Sequence, residues 1–553
     1  MQDRAYKLMK EWCDTLLSHQ VRTKTPYTDG GLLCPACHVI HGRIADLCFP
    51  LTVLWSKTGD EHYLEEANRL IDWSEYNQMT HDGLWYNDIT NRWYATSAFS
   101  ALSIGEAIYH FGDKIPLKYR EKWMAIFVRM CDTFATLDTR DSFKPVTNYY
   151  CGIAALLAMA WRLTGDGGYY EKSKYWVGVA LSRFDGDGLL FGEGHPIESA
   201  DGTHAIDMAY ALEESLPLLV RYADLTGDYR ELFRQRFTDH LVFLLPNGAI
   251  DDSFGVRHNK WTYWGSRTSD GILEGLALLP DDPTFAVAAE RVLTLYESCT
   301  RDGLLAMPMA YDEPTCLHHT FAHAKALAAL VCAKGMTEAQ DVTLPGEEKF
   351  GVKAYQNGHL VLVSDGCFRA TFSTIASDCQ PSHTANAGGS MTLLYHDTYG
   401  ILCAATTAEY IPTEPLNQQY LRKAASPPSM TAQFVIDGQQ ACRDRSARLS
   451  HEGTEVIATA EGWQARYAFR GDELKITPDC ADGCYHLPIV CGKDRRVTLS
   501  EDRTALKIEG GVTVVSSVPM DVDPDKRVLH PVGGLMYLPI EIPVKGSVTV
   551  VLK

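Results

Sequence analysis

Apolar and polar positions follow two different periods along this chain, and the change falls between residue 335 and Glu347. In the first part apolar residues recur three and four positions apart, the period of a helix with a buried face. The opening stretch MQDRAYKLMKEWCD reads as an amphipathic helix. Past Glu347, alternating runs such as HLVLVSD, FRATFSTIA, SMTLLYHD, EVIATAE, ARYAFR and VTVVLK are separated by Gly, Asp and Pro turns, which predicts an antiparallel sandwich. The expected organisation is a helical domain over residues 1–335, a linker over 336–348 and a β-domain over 349–553. Pro427-Pro428 falls between predicted strands and marks a loop.

The helical part carries a repeat. Thr58-Gly59-Asp60, Thr164-Gly165-Asp166, Thr226-Gly227-Asp228 and Asp281-Asp282-Pro283 each lead into a helical run, and Asp82-Gly83, Asp187-Gly188, Asn247-Gly248 and Asp302-Gly303 follow those runs. Each unit is a helix, a capping turn, a second helix and a Gly stop. Helix pairs repeating at intervals above about fifty residues stack on one another. About six pairs in this length predict closure into an (α/α) toroid with a central funnel, followed by an antiparallel β-sandwich.

Segments after the Gly stops return the chain to inner helices and line one mouth of the funnel, so their polar residues are candidates for chemistry. They are Trp85-Tyr86-Asn87-Asp88, Phe191-Gly192-Glu193-Gly194-His195-Pro196, Asp251-Asp252-Ser253-Phe254-Gly255 and Tyr311-Asp312-Glu313. Acids beside aromatics suit a sugar-binding cleft. Glu193 lies between glycines that let its carboxylate approach a ligand closely, with His195 two residues on; the alternative is a plain turn. In AYALEESLPLLVRYA, helical spacing sets Glu213 in line with Ala209, Leu216 and Val220, and Glu214 with Asp207 and Tyr210. At least one carboxylate then faces an apolar interior, where burial raises its pKa and suits it to general acid work. A solvated helix face is the alternative. Pro217 withholds a helical hydrogen bond from the carbonyl of Glu213. Asn148-Tyr149-Tyr150 opens the apolar run CGIAALLAMAWRLTGD. Asn148 and Tyr149 there either neutralise and deprotonate a uronate or cap and pack.

Histidines and cysteines form two further groupings. His319 and His323 share a helix face at zinc spacing, without a third ligand at a recognisable offset. His318 and His319 are expected instead to hydrogen-bond a carboxylate or hydroxyl of the substrate. Cys34-Pro35-Ala36-Cys37 with His38 and His41 resembles half a zinc knuckle, but no second Cys pair completes it, so a structural loop is expected. Arg43 and Asp46, just downstream, face the funnel in this reading. No metal and no cofactor are expected.

Charge narrows the ligand. The 553 residues, 46% of them hydrophobic, carry a net charge of −19. That argues against nucleic acid or an anionic membrane as partner, because phosphates need an extended positive surface. No run of about 18 consecutive apolar residues exists. An anionic ligand must meet a local cationic pocket, and residues 257–271 hold three cations and three aromatic rings within fifteen positions. Arg257, Lys260 and Arg267 suit a carboxylate, and Trp264 suits the face of a sugar ring. The alternative is that Trp261, Tyr263 and Trp264 are core residues of a helix start, with Arg257 and Lys260 solvated. Single cysteines in helical patterns, such as Cys13, Cys48, Cys131 and Cys332 among the sixteen, suit reduced thiols and a cytoplasmic location, or a periplasmic one if a leader has been removed. A homodimer fits the broad outer faces of such a toroid.

Two resemblances follow from these motifs. The toroid-then-sandwich order, Asn148-Tyr149-Tyr150 and the phrase Gly388-Gly389-Ser390-Met391-Thr392-Leu393-Leu394-Tyr395-His396 resemble the heparinase II/III-like architecture. The strings CPACHVIHGR, LFGEGHP, EESLP, KWTYWGSRTSDG and HHTFAHAKA resemble glycoside hydrolase family one hundred and fifty-four, which implies β-glucuronidase activity. Uronate lyases of the heparinase-like group present an Asn-Asn-His type triplet where this chain has Asn148-Tyr149-Tyr150, so the lyase histidine is missing there, with Tyr263 or His318 as substitutes. The leading expectation is an exo-acting glycoside hydrolase that removes a terminal β-glucuronic acid. Glu214 is its acid and Glu193 the partner carboxylate, with Glu213 and Asp252 in reserve. The alternatives are a polysaccharide lyase acting by β-elimination, with Tyr263 or His318 moving the proton, and a non-catalytic carbohydrate-binding protein.

Overall fold

The computed structural model describes all residues except 89–90, 140–142, 310–313, 337–340, 376–387, 407–428 and 531–532. Tyr311, Asp312, Glu313 and the predicted loop at Pro427-Pro428 lie outside the described residues. In chain order the helices are α1 (Gln2–Ser18), α2 (Cys48–Thr58), α3 (His62–Gln78), α4 (Ser97–Phe111), α5 (Leu117–Thr136), α6 (Thr147–Thr164), α7 (Gly167–Leu181), α8 (Met208–Tyr210), α9 (Leu216–Thr226), α10 (Arg230–His240), α11 (Leu273–Ala277), α12 (Pro283–Cys299) and α13 (Leu317–Cys332).

Burial sorts these helices into two rings. α4 is buried from Ser97 to Ile108, α6 from Thr147 to Ala160 and α13 from Leu317 to Val331, on every face. A helix buried all round needs neighbours all round. The inner ring runs α2, α4, α6, α9, α11, α13 and back to α2, each packed on the next. Outside it α3, α5, α7, α10 and α12 pack on α2, α4, α6, α9 and α11, and α1 packs on α13. The predicted (α/α) toroid is thus the observed architecture, with the last inner helix paired to the first helix of the chain. Gly59, Gly165 and Gly227 end α2, α6 and α9 at φ of 74°, 79° and 84°, a left-handed conformation that a Cβ disfavours. Asp166 then caps α7 by accepting from the Gly168 N–H at 2.8 Å.

One helix departs from regularity. Between α8 and α9, residues Ala211–Ser215 form a π-helical turn, where the spacing predicts an uninterrupted α-helix. Pro217 has no N–H for the carbonyl of Glu213, and the widened turn accommodates that loss. Glu213 and Glu214 both lie in this turn, and both are buried.

Strands begin as two short hairpins in toroid connections, β1 (Trp261–Thr262) with β2 (Gly265–Ser266) and β3 (Thr300–Arg301) with β4 (Leu304–Leu305). β5 (Gly351–Tyr355), β6 (Leu360–Asp365), β7 (Phe368–Ser373), β8 (Ser390–His396) and β9 (Gly400–Ala404) then form an antiparallel sheet in chain order. Leu360 and Leu362 of β6 join the toroid core, whereas Val361 and Val363 join the core shared with a second sheet. This two-residue alternation makes the sheet a middle layer. The second sheet has twelve described strands built around the long Glu473–Val490 and Leu535–Ser547 pair. The toroid is tied to the first sheet by Ser253 Oγ donating to Thr392 Oγ1 at 3.0 Å and by the Thr371 hydroxyl on Asp251, and to the start of the Leu535–Ser547 strand of the second by Met309 N donating to the Gly534 carbonyl at 3.0 Å. Among the described residues no helix is long and apolar enough to cross a membrane.

Candidate active site

Inner helices of the toroid start at one end of the funnel, and their first turns supply a polar cavity. Thr96 precedes α4, Asn148 and Tyr149 open α6, and His318 opens α13; all line the cavity, with Arg43, Asn87, Phe99, Tyr210, Glu214, Arg257, Lys260 and Thr268. The converging N-termini aim positive dipole ends at this space, which favours an anionic ligand.

Asn148 is the hub. Its backbone N–H donates to Glu193 Oε1 at 2.7 Å, and its side-chain amide donates to Glu214 Oε2 at 2.5 Å. Burial pushes the Glu214 carboxyl up to about 8, helped by the charge of Asp270 and opposed by Arg43, so it is protonated at neutral pH. Glu193 sits behind Asn148. Its Oε2 accepts from Arg257 at 2.8 Å, and burial raises its pKa against the pull of that guanidinium. Arg257 lies 3.7 Å over the Tyr210 ring and 4.0 Å from Asp207, whose carboxyl burial lifts to about 7. Tyr210 is held by its hydroxyl on Thr268.

His318 and Tyr149 bring two titratable side chains to the cavity wall. The His318 ring stacks on Phe321 at 4.6 Å and meets His41 edge-on at 5.7 Å. It is buried, and neither ring nitrogen has a hydrogen-bond partner among the described residues. Burial and then the nearby charge of Arg43 hold its pKa well below the ordinary imidazole value, so the ring is neutral and able to accept a proton. Tyr149 is wedged against Trp93 and Phe99 at ring distances of 5.5 and 5.6 Å, and burial raises its hydroxyl pKa so that it keeps its proton. Arg43 is balanced inside the wall. It donates to Asp46 at 2.7 Å and Asp270 at 2.5 Å, while Lys325 donates to the same Asp270 at 2.6 Å.

The remaining candidates stand elsewhere. Glu213 faces away from the cavity, accepting from the Ser266 N–H at 2.7 Å, from the Ser269 hydroxyl and from Tyr296 at 3.3 Å. Trp264 is fully buried with its indole N–H on the Ala306 carbonyl at 3.0 Å, so it packs rather than presenting a face to sugar. Tyr263 points its hydroxyl at Cys299 Sγ, 3.6 Å away. Asp252 caps α8 through the Met208 N–H at 2.6 Å. Asp251 belongs to the joint with the sheet described above. Arg267 is fully buried away from the cavity lining, as is His319, which packs edge-on to Trp264 at 5.8 Å; His195 is exposed. Tyr210, Thr96, Phe99 and Thr268 escape a reading that looks for acids and cations. The one signal for Tyr210 is its position four residues before Glu214 on the same helical face.

Comparison with known proteins corrects the expected family and activity. The profile of the ulvan lyase N-terminal domain matches residues 9–347, and that of the ulvan lyase C-terminal domain matches residues 352–441. The chain is 32% identical to the broad-specificity ulvan lyase of Formosa agariphila, over 97% of this chain and 91% of that protein. In fold it is similar to heparinase III (TM-score 0.53, 11% identity, 94% of this chain and 77% of that one). It is equally similar in fold to a chondroitin AC lyase of Streptomyces coelicolor A3 (TM-score 0.53, 14% identity, 100% and 79%). Membership of glycoside hydrolase family one hundred and fifty-four and β-glucuronidase activity are therefore set aside, and the carboxylates give the physical reason. Of the acids assigned to hydrolysis, Glu214 lines the cavity, whereas Glu193 is closed off by Arg257 and the start of α6. This chain belongs to the ulvan lyase family.

Proposed function

We propose that the protein is a polysaccharide lyase that cleaves uronic-acid-containing glycans by β-elimination. The observation that carries this reading is a buried His318, its ring nitrogens without a hydrogen-bond partner among the described residues, facing the same cavity as the Asn148–Glu214 pair. Elimination needs the charge of the uronate carboxylate quenched, so that the proton on C5 becomes acidic, and it needs a base for that proton. The Asn148 amide and the protonated Glu214 bind the carboxylate and stabilise the charge that develops on it, with Lys260 and Arg257 supplying positive potential. His318 takes the C5 proton. The electron pair of the broken C5–H bond forms the C4–C5 double bond, the C4–O4 bond breaks, and the Tyr149 hydroxyl gives its proton to the leaving oxygen. No water is consumed.

The name of the Formosa agariphila relative supports ulvan as the first substrate to offer, and its broad specificity supports offering other uronic-acid polysaccharides beside it. The test is the near-ultraviolet absorbance of the unsaturated uronide. Saturated reducing ends without that absorbance would mean hydrolysis, and binding without either product would mean a carbohydrate receptor.

A further inference from the structure

The Cys-Pro-Ala-Cys segment finds its missing partner far along the chain. Cys34, Cys37 and His41 meet Cys316, and their ligand atoms all lie within 4.8 Å of one another. Cys37 Sγ is 3.5 Å from Cys316 Sγ, and Cys316 Sγ is 3.4 Å from His41 Nε2. A tetrahedral zinc with Zn–S near 2.3 Å and Zn–N near 2.0 Å sets its ligand atoms about 3.5–3.8 Å apart. The Cys37–Cys316 and Cys316–His41 distances are close to those of one ion's coordination shell, and all four ligand atoms lie near enough to share it.

The surroundings fit the same purpose. His41 Nδ1 faces Asp88 Oδ2 at 3.2 Å, which turns Nε2 towards the sulfurs, as a carboxylate does behind a metal-bound histidine. The Cys37 N–H donates to Cys34 Sγ at 3.4 Å, and the His38 N–H closes the turn on the Cys34 carbonyl at 2.9 Å. Cys34, His41 and Cys316 are fully buried. A redox dithiol would need two sulfurs open to a partner, whereas in this cluster two of the three sulfurs and the oriented imidazole are buried and Cys37 is half-buried.

We propose that Cys34, Cys37, His41 and Cys316 bind one zinc ion as a closed structural site. Four protein ligands leave no open position for chemistry. The ion's role is to fasten three segments of the toroid: the loop before α2, the N-cap of α13 and, through Asp88, the connection between α3 and α4. Each fastened segment carries a cavity residue within two positions of the clamp, namely Arg43 after His41, Asn87 before Asp88 and His318 after Cys316. Spacing rules miss the site because Cys37 and Cys316 are 279 residues apart.

Metal content of the purified chain, expressed without a metal-binding tag, tests this by elemental mass spectrometry. One zinc per chain is expected, falling at least tenfold in Cys316→Ala and staying at one in Cys367→Ser, a thiol outside the cluster. His41→Cys, which keeps four ligands, is expected to retain the ion. Exchange of the wild-type ion for cobalt should give the intense visible bands of a tetrahedral cobalt–thiolate centre, a readout that does not depend on any variant folding. A metal-free wild-type protein, a disulfide among Cys34, Cys37 and Cys316 in a non-reducing digest, or zinc retained at full level in Cys316→Ala would each overturn the proposal.

Discussion

Asn148 donates its side-chain amide to Glu214 Oε2 at 2.5 Å, and the carboxyl it meets is held neutral by burial. Both groups then present uncharged donors to a bound carboxylate. Asn148→Ala removes one donor aimed at the charge that develops during elimination. We expect kcat to fall about 10²–10³-fold, with a thermal melt close to that of the wild type. The rate of unsaturated uronide formation checks it, together with circular dichroism.

Glu214→Gln separates the two chemistries. If the neutral carboxyl serves as a hydrogen-bonding group, an amide of the same shape preserves activity to within about tenfold. An acid catalyst of hydrolysis would lose its proton donor and fall by orders of magnitude.

The pH profile follows from the same group. Glu214 is protonated below about 8 and becomes an anion above it, where it repels the substrate carboxylate. KM should therefore rise as the pH passes through about 8, and Glu214→Gln should remove that alkaline limb. His318, held well below the ordinary imidazole pKa, sets the acid limb well below the usual histidine range. His318→Ala is expected to abolish turnover while leaving polysaccharide binding measurable by calorimetry.

On the proposed mechanism Glu193 acts through its neighbours, as a positioning residue. Its carboxylate fixes the Asn148 backbone and Arg257 without lining the cavity. Glu193→Gln should lower kcat/KM by about 10–100-fold, the usual scale for groups that orient a first layer of ligands. A loss comparable to that of His318→Ala would mean that it reacts directly.

Glu213 is predicted to matter for stability. It satisfies the Ser266 N–H and the Ser269 and Tyr296 hydroxyls deep in the protein. Glu213→Ala leaves these donors unpaired and should cost about 2–4 kcal/mol in a denaturant titration, with the folded fraction keeping its kcat.

The toroid was legible because its inner helices are apolar all round and because Gly59, Gly165 and Gly227 recur at their ends; the β-domain was legible in short apolar runs bounded by turn residues, although the run of β6 did not show that its two faces enter two different cores. Within the site, Asn148, Glu214, Arg257 and His318 stood out as polar groups in or beside apolar runs. Their neighbours did not. Residues 257–271 read as one cationic and aromatic patch, yet the β1–β2 hairpin sends Trp261 and Trp264 into the core and leaves Arg257 and Lys260 at the cavity. A linear string does not show which way a tight hairpin turns its side chains. Equally, helical spacing did not separate Glu213 from Glu214, because the π turn shifts the face each one presents.

The pairing of α1 with α13 sets the order in which this molecule comes into being. Chains emerge from the ribosome N-terminus first and begin to fold as they do. α1 must wait, its apolar face uncovered, until α13 has been synthesised. Arg43 precedes α2 and His318 opens α13, so a nascent or truncated chain that stops short of Leu317 has neither a closed ring nor a complete cavity.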